Sequence, residues 1–375
     1  MDVQFLRPLF DRRGPWASVY LDATRSVENA DRQVDLRWRA LRDRLAGQGA
    51  DEGTLNAIDS ALRDQPYQPG QYGLAVFAQA GEIVMVEPLP APPPSDEARY
   101  EALPHAMPLL AQRGEEVSYV RVLADRTGAD LEGLAVGRAP RRRTVEGGED
   151  FPLRKVRVGG WSHRRYQRAA EESWERNAGD MAAAAVDLAE SVGAEVIVLG
   201  GDVRAVQTFV EQLPRRWQDR VVRTDAGSRR AGADHDALDD VTVQAIADVA
   251  ARHVRETIDR YRAQRGDHAA ATGLVDLVST LQRGQVDTVL LVNDSSSTDT
   301  LWIGPDDPSL IAVDEETLRD AGVQEPQKVR ADAALLRAIV GTGARLVLVG
   351  PGEAPLEHGV GAVLRYADAS TAASS

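Results

Sequence analysis

Apolar positions along this chain switch between two spacings, and the switches mark its elements. WASVYLD (16–22) reads as a strand, and Val34, Trp38, Leu41 and Leu45 then recur at helical spacing, as do Leu55, Ile58 and Leu62. GLAVFAQAGEIVMVEPL (73–89) reads as two strands around a tight Ala-Gly turn. The proline cluster PLPAPPPS (88–95) breaks regular structure and begins a connection, with a first boundary near residue 113.

A second segment opens with VSYVRVLADRTGADLEGLAVG (117–137), a strand, an Asp-Arg-Thr-Gly turn and a strand. An arginine-rich loop follows, then a long helix from about Ser162 whose buried stripe is Tyr166, Ala170, Trp174, Met181, Ala185 and Leu188. EVIVLGG (195–201) is a buried strand, Asp202 suits the N-cap of the next helix, and RVVRTD (220–225) is another strand. A hairpin followed by alternating helices and strands predicts a mixed sheet covered by helices. A helix of about 25 residues from Asp239 leads into a last α/β segment. That segment reads GLVDLVSTLQRGQVDTVLLVND as helix, turn and strand, then TLWIG, ADAALLRAIVGTG, RLVLVG and GVGAVLRYA as strand, helix, strand and strand. The organisation is α/β in three domains, 1–113, 114–255 and 256–375.

The 375 residues contain no cysteine, which excludes disulfides, thiolate metal sites and cysteine nucleophiles. The six histidines have no metal-ligand spacing, so neither a metal nor another cofactor is expected. No apolar run is long enough to span a membrane, and the start MDVQFLRPLFDRRG lacks the order of a signal peptide. The expected location is the cytoplasm, with no membrane partner.

A formal charge of −14 argues against diffuse binding to DNA or any other nucleic acid. Its distribution changes the picture. From Arg138 to Arg168, ten Lys or Arg face three acids, a local charge of +7 on an otherwise acidic body. One basic patch suggests a single surface presented to a polyanion.

Three collinear stretches carry a family resemblance. GLVDLVSTLQRGQVDTVLLV (273–292) is similar to the opening of the third domain of the archaeo-eukaryotic class I release factors and Pelota. GVGAVLRY (359–366) is similar to their closing strand, and VGGWSHRRYQRAAEESWERN (158–177) lies where they carry a Gly-Gly-Gln loop before a long helix. The chain most resembles the bacterial branch of this superfamily, which includes Balon-type ribosome hibernation factors and Vms-type peptidyl-tRNA hydrolase-like proteins of actinobacteria. The resemblance implies a divergent α+β N-terminal domain and an RNase H-like middle domain. It also implies a C-terminal α/β domain like ribosomal RNA-binding proteins.

In that family the glutamine after the two glycines helps to position water against the peptidyl-tRNA ester. Here Gly159-Gly160 precedes Trp161, and aligning to a Gly-x-x-Gln pattern puts His163 where the amide belongs. Glutamine is missing under either alignment. The glycines still allow backbone approach that side chains would block. Ser162 and His163 are the catalytic candidates, His163 as general base; the plainer reading of Ser162 is a helix N-cap. Trp161 could stack on a nucleobase or pack beneath the loop. Arg141, Arg142, Arg143, Arg154, Lys155, Arg157, Arg164, Arg165 and Arg168 are candidate phosphate contacts, with a solvated arginine-rich loop as the alternative. Asp125 lies where RNase H-like nucleases keep a metal carboxylate, but its partners cannot be placed, so a nuclease fold without its chemistry is expected.

The first domain has no equivalent of the stop-codon-reading Asn-Ile-Lys-Ser segment. The expectation is a non-catalytic factor at the A site of idle or stalled ribosomes, in hibernation or rescue. It would touch rRNA, with peptidyl-tRNA as a further contact, and the resemblance raises delivery by elongation factor Tu. The alternatives are a peptidyl-tRNA hydrolase and a non-ribosomal stress adapter.

Overall fold

Continuous burial from Trp16 to Leu21 shows that the first sheet is packed on both faces. Strand β1 (Trp16–Asp22) turns Ala17, Val19 and Leu21 to one apolar cluster and Trp16 and Tyr20 to another. A computed structural model describes residues 1–25, 30–66, 70–147, 160–229, 235–267, 269–294, 297 and 299–366, with the backbone alone at 30, 31 and 160–173. β2 (Gly73–Gln79), β3 (Glu82–Leu89) and β4 (Glu97–Glu101) complete an antiparallel sheet in the order β3-β2-β1-β4. Short α1 (Arg7–Phe10) precedes it. The predicted stripes of α2 (Ala30–Gly47) and α3 (Glu52–Arg63) are buried against the sheet. β4 and α4 (Met107–Arg113) follow the prolines, where the sequence suggested only a connection. EARYE alternates only Ala98 and Tyr100 with charged residues, too short a pattern to stand alone, and its pairing with β1 decides its state.

The middle sheet runs β7-β6-β5-β8-β9. β5 (Tyr119–Ala124), β6 (Gly128–Leu134) and β7 (Arg141–Glu146) form an antiparallel meander. β8 (Val196–Gly201) and β9 (Val221–Arg223) extend it in parallel beyond β5. This is the RNase H-like arrangement expected for the middle segment. The 33-residue α5 (Gly160–Val192) packs Ala178, Met181, Ala185 and Leu188 into one core with Phe209 of α6 (Val203–Gln212). Trp217 of the single-turn α7 (Arg215–Gln218) closes that core. The start of α8 (Asp236–Gly266) covers the other face through Leu238, Ala245 and Val249.

Farther along α8, Ile258 and Tyr261 join Leu290, Val347 and Val363 in a separate cluster. The last segment adds β10 (Ala271–Thr272), α9 (Gly273–Gln282), β11 (Val286–Val292), β12 (Thr300–Ile303) and β13 (Ile311–Ala312). Then come α10 (Glu315–Asp320), β14 (Gln327–Arg330), α11 (Ala331–Thr342), β15 (Arg345–Val349) and β16 (Val360–Leu364). Its sheets run β10-β16-β11-β15 and β13-β12-β14. Two compact units result, Met1–Glu115 with Val254–Ser375, and Glu116–His253. One apolar cluster runs from Val3 and Trp16 to Leu335 and Ile339, so the first and last segments share a core. Within it the buried Arg337 donates to the carbonyls of Gly304 (2.9 Å) and Pro305 (3.1 Å). No described helix is long and apolar enough to cross a membrane.

Candidate nucleic-acid interface

The basic stretch leaves the middle sheet at β7 and returns as α5. Sequence reading made Arg141, Arg142 and Arg143 part of a loop, but they form the start of β7, an edge strand of the sheet. Three consecutive arginines show no apolar alternation, so the strand is set by its register with β6, where Arg141 lies opposite Gly133 and Arg143 opposite Leu131. Successive strand residues point to opposite faces. Arg141 accordingly reaches Ser191 Oγ of α5 (3.3 Å) and Arg143 approaches Asp187 of α5 (3.8 Å), while Arg142 pairs with Glu132 across the sheet (2.8 Å). Such surface pairs are worth about 0–1 kcal/mol.

The return point is the start of α5 at Gly160, which puts Ser162 inside the first turn rather than at the N-cap position. Trp161, Arg164, Arg165 and Arg168 follow with i, i+3, i+4 and i+7 spacing, and His163 also lies within this helix. Arg154, Lys155, Arg157 and Gly159 fall outside the described residues.

The root of the segment is held by a polar cluster. Gly147 N donates to Thr127 O (2.7 Å), and a Cβ on Gly147 would collide with the buried Asn177 amide of α5. Thr127 in turn donates its N and Oγ1 to Asp125 Oδ1 (2.7 and 2.6 Å), which also accepts from Gly128 N (3.0 Å). Arg229, 14% exposed, spans Asp125 and Asp130 at 3.1 Å each. Asp130 also accepts from Thr144 of β7 (2.9 Å). One guanidinium thereby ties the β5–β6 turn to the end of β7. Burial alone would raise the Asp125 pKa, but the Thr127 hydrogen bonds and the Arg229 charge outweigh it and hold the carboxyl below its usual range.

Beside this cluster, at the carboxyl ends of the parallel strands β5 and β8, Asp202 caps α6 by accepting from Arg204 N and Ala205 N, both 3.1 Å. Arg126 reaches Asp202 (3.6 Å) and lies 5.0 Å over the partly buried Trp174 ring. The carboxylates at this end of the sheet thus already face arginine or backbone donors. Among the described residues, no group of three or more His, Asp or Glu side chains could hold a metal ion. Sequence reasoning missed Arg229 and Asn177, because partners 104 residues apart, such as Arg229 and Asp125, leave no local pattern. Trp174 was assigned to the buried stripe and is instead the base of a cation–π contact.

Residues 118–267 match the model of the bacterial archaeo-eukaryotic release factor family 2. Over 365 residues the chain is 29% identical to the uncharacterized Mycobacterium tuberculosis proteins MT2704 and Rv2629, covering 96% of each sequence. Solved structures give looser likenesses. The archaeal translation termination factor aRF1 is 16% identical with a TM-score of 0.25, covering 97% of this chain and 96% of that one. A chain in a model of ribosome-bound archaeal Pelota and ABCE1 is 13% identical with a TM-score of 0.40, covering 97% and 93%. Dom34 of S. cerevisiae is 8% identical with a TM-score of 0.37, covering 80% and 81%.

Proposed function

We propose, from the premise that this chain is a member of the release-factor superfamily through residues 118–267, that it is a translation factor acting at the A site of idle or stalled ribosomes. The observation that carries the reading is the matched segment, which contains the +7 stretch from Arg138 to Arg168. Arg164, Arg165 and Arg168, with Arg154, Lys155 and Arg157, would contact rRNA or tRNA phosphates, and Trp161 would stack beside them. Arg141, Arg142 and Arg143 add long-range attraction, since their surface pairs are weak.

The reading is of a non-catalytic factor, in hibernation or rescue, because Trp161 stands where a Gly-Gly-Gln loop has its glutamine. It keeps a three-part division into 1–113, 114–255 and 256–375 and a place in the cytoplasm, where ribosomes are. It favours a Balon-like role over a Vms-like one, with elongation factor Tu as the delivery partner. Sedimentation with vacant ribosomes tests it; failure to bind leaves the adapter role.

A second reading has one observation in its favour. His163 follows Gly159-Gly160 within the start of α5, where a general base could meet the peptidyl-tRNA ester. Peptide release from stalled complexes that is abolished by His163→Ala would establish this hydrolase role; no release from wild type would end it.

A further inference from the structure

A crevice of about 630 Å³ opens in the unit formed by the first and last segments. It lies at the carboxyl end of β11 and the start of α11, the side of a parallel β-α unit where ligands commonly bind. Its volume is in the range of small-molecule sites. Leu274, Leu291, Leu335 and Val360 give it apolar walls, and acids outnumber arginines among its lining residues.

His105 is part of that lining and only 5% exposed. Its Nε2 is 3.9 Å from Glu97 Oε1 and its Nδ1 is 4.0 Å from Asp332 Oδ2, both beyond hydrogen-bond length. Nδ1 is itself buried and has no hydrogen-bond partner among the described residues. The surroundings favour a neutral ring: burial, followed by the Arg99 charge, lowers its pKa to about 4. A neutral imidazole carries one N–H and one lone pair. Between two carboxylates, either tautomer therefore leaves one ring nitrogen facing a carboxylate acceptor to acceptor. Arg99 and Arg330 hold Glu97 and Asp332, so the carboxylates are fixed on either side of the ring.

A group that donates to both acceptors and carries positive charge resolves this arrangement. A nitrogen about 2.9 Å from each atom, the usual N–H···acceptor distance, spans the 4.0 Å gap between Nδ1 and Asp332 Oδ2 at close to a right angle. We infer that the crevice binds a small organic cation, an ammonium or guanidinium on an apolar body, whose N–H groups donate to His105 Nδ1 and Asp332 Oδ2 while the body lies on the leucine wall. The inference does not depend on ribosome binding.

Phenethylamine and its neutral isostere phenethyl alcohol, titrated separately into the full-length protein with isotope-labelled histidine, test it. NMR of the ring nitrogens follows the signals that disappear in His105→Gln. The amine is expected to shift them saturably and to raise the melting temperature, the alcohol to do neither, and Asp332→Asn to weaken amine binding about tenfold. Signals unmoved by the amine in the wild type, or moved equally by the alcohol, would overturn the inference and leave a bridging water in the gap. The wild-type comparison decides even if Asp332→Asn, which also releases Arg330, fails to fold.

Discussion

The Cα of Gly147 faces the side-chain amide of Asn177 so closely that a methyl group built there would lie 2.2 Å from Asn177 Nδ2. Gly147 is also hydrogen-bonded through its N–H to Thr127. The end of β7 is therefore pinned to both the β5–β6 turn and α5, at the root of the basic segment.

Gly147→Ala is expected to destabilise the protein by about 1–3 kcal/mol, the usual cost of overpacking a filled site. Asn177→Ala in the same chain makes room for the methyl group, so the double variant should lose less than the sum of the singles. Urea unfolding midpoints in a double-mutant cycle measure this. Additive losses would show that the two residues do not share the contact.

Arg229→Met removes the donor that joins Asp125 to Asp130. A loss of about 2 kcal/mol is expected, within the range for hydrogen bonds to charged groups and reduced for partly exposed carboxylates. Arg229→Lys should recover only part of it, because a single ammonium cannot reproduce the two-sided fork. The depressed Asp125 pKa adds stability above the ordinary carboxylate range that is lost as pH falls through the folded value. Stability measured against pH should therefore have a shallower acid limb in Arg229→Met than in wild type.

His105 makes the opposite pair of states matter. Its pKa is lowered to about 4 by burial and by Arg99, so the unfolded chain takes up a proton first as pH falls. The stability held above the unfolded pKa of about 6.5 should decline by roughly 3 kcal/mol as pH drops toward 4. His105→Gln should flatten that decline. Denaturant midpoints for both proteins across this interval check it, and parallel curves would show that His105 titrates normally.

How far the sequence carried depended on whether a feature was local. The strand at Trp16–Asp22, the hairpin over Gly73–Leu89 and the helical stripe from Val34 to Leu45 each repeat an apolar spacing set by their own packing, and each forms as read. The Asp202 cap was equally legible, since an N-cap is a one-turn interaction. β7 was not, because its arginines pair by register with β6 rather than by pattern. The shared core of the first and last segments was also invisible, since Trp16 and Leu335 join one cluster only through tertiary packing. The Arg229 cluster joins residues far apart in sequence. His105 read as one of six scattered histidines until the fold brought Glu97 and Asp332 to its sides.

Asp202→Ala should cost about 1 kcal/mol, the usual loss for an N-cap, and should also release Arg126 from its carboxylate partner. Thermal unfolding measures the first effect. Trp174 fluorescence should report the second, because the Arg126 guanidinium lies over its ring; an unchanged spectrum would mean the stacking does not depend on Asp202.

The most direct test of the central claim is sedimentation of the full-length protein with vacant ribosomes over a range of salt, comparing wild type with the Arg164→Glu/Arg165→Glu variant. The account predicts wild-type binding that weakens steeply with salt, each phosphate contact contributing about 0.7–0.9 to the log–log slope, and loss of that binding in the variant. Absence of wild-type binding to ribosomes that a known factor still binds would contradict it, as would binding indifferent to both salt and charge reversal.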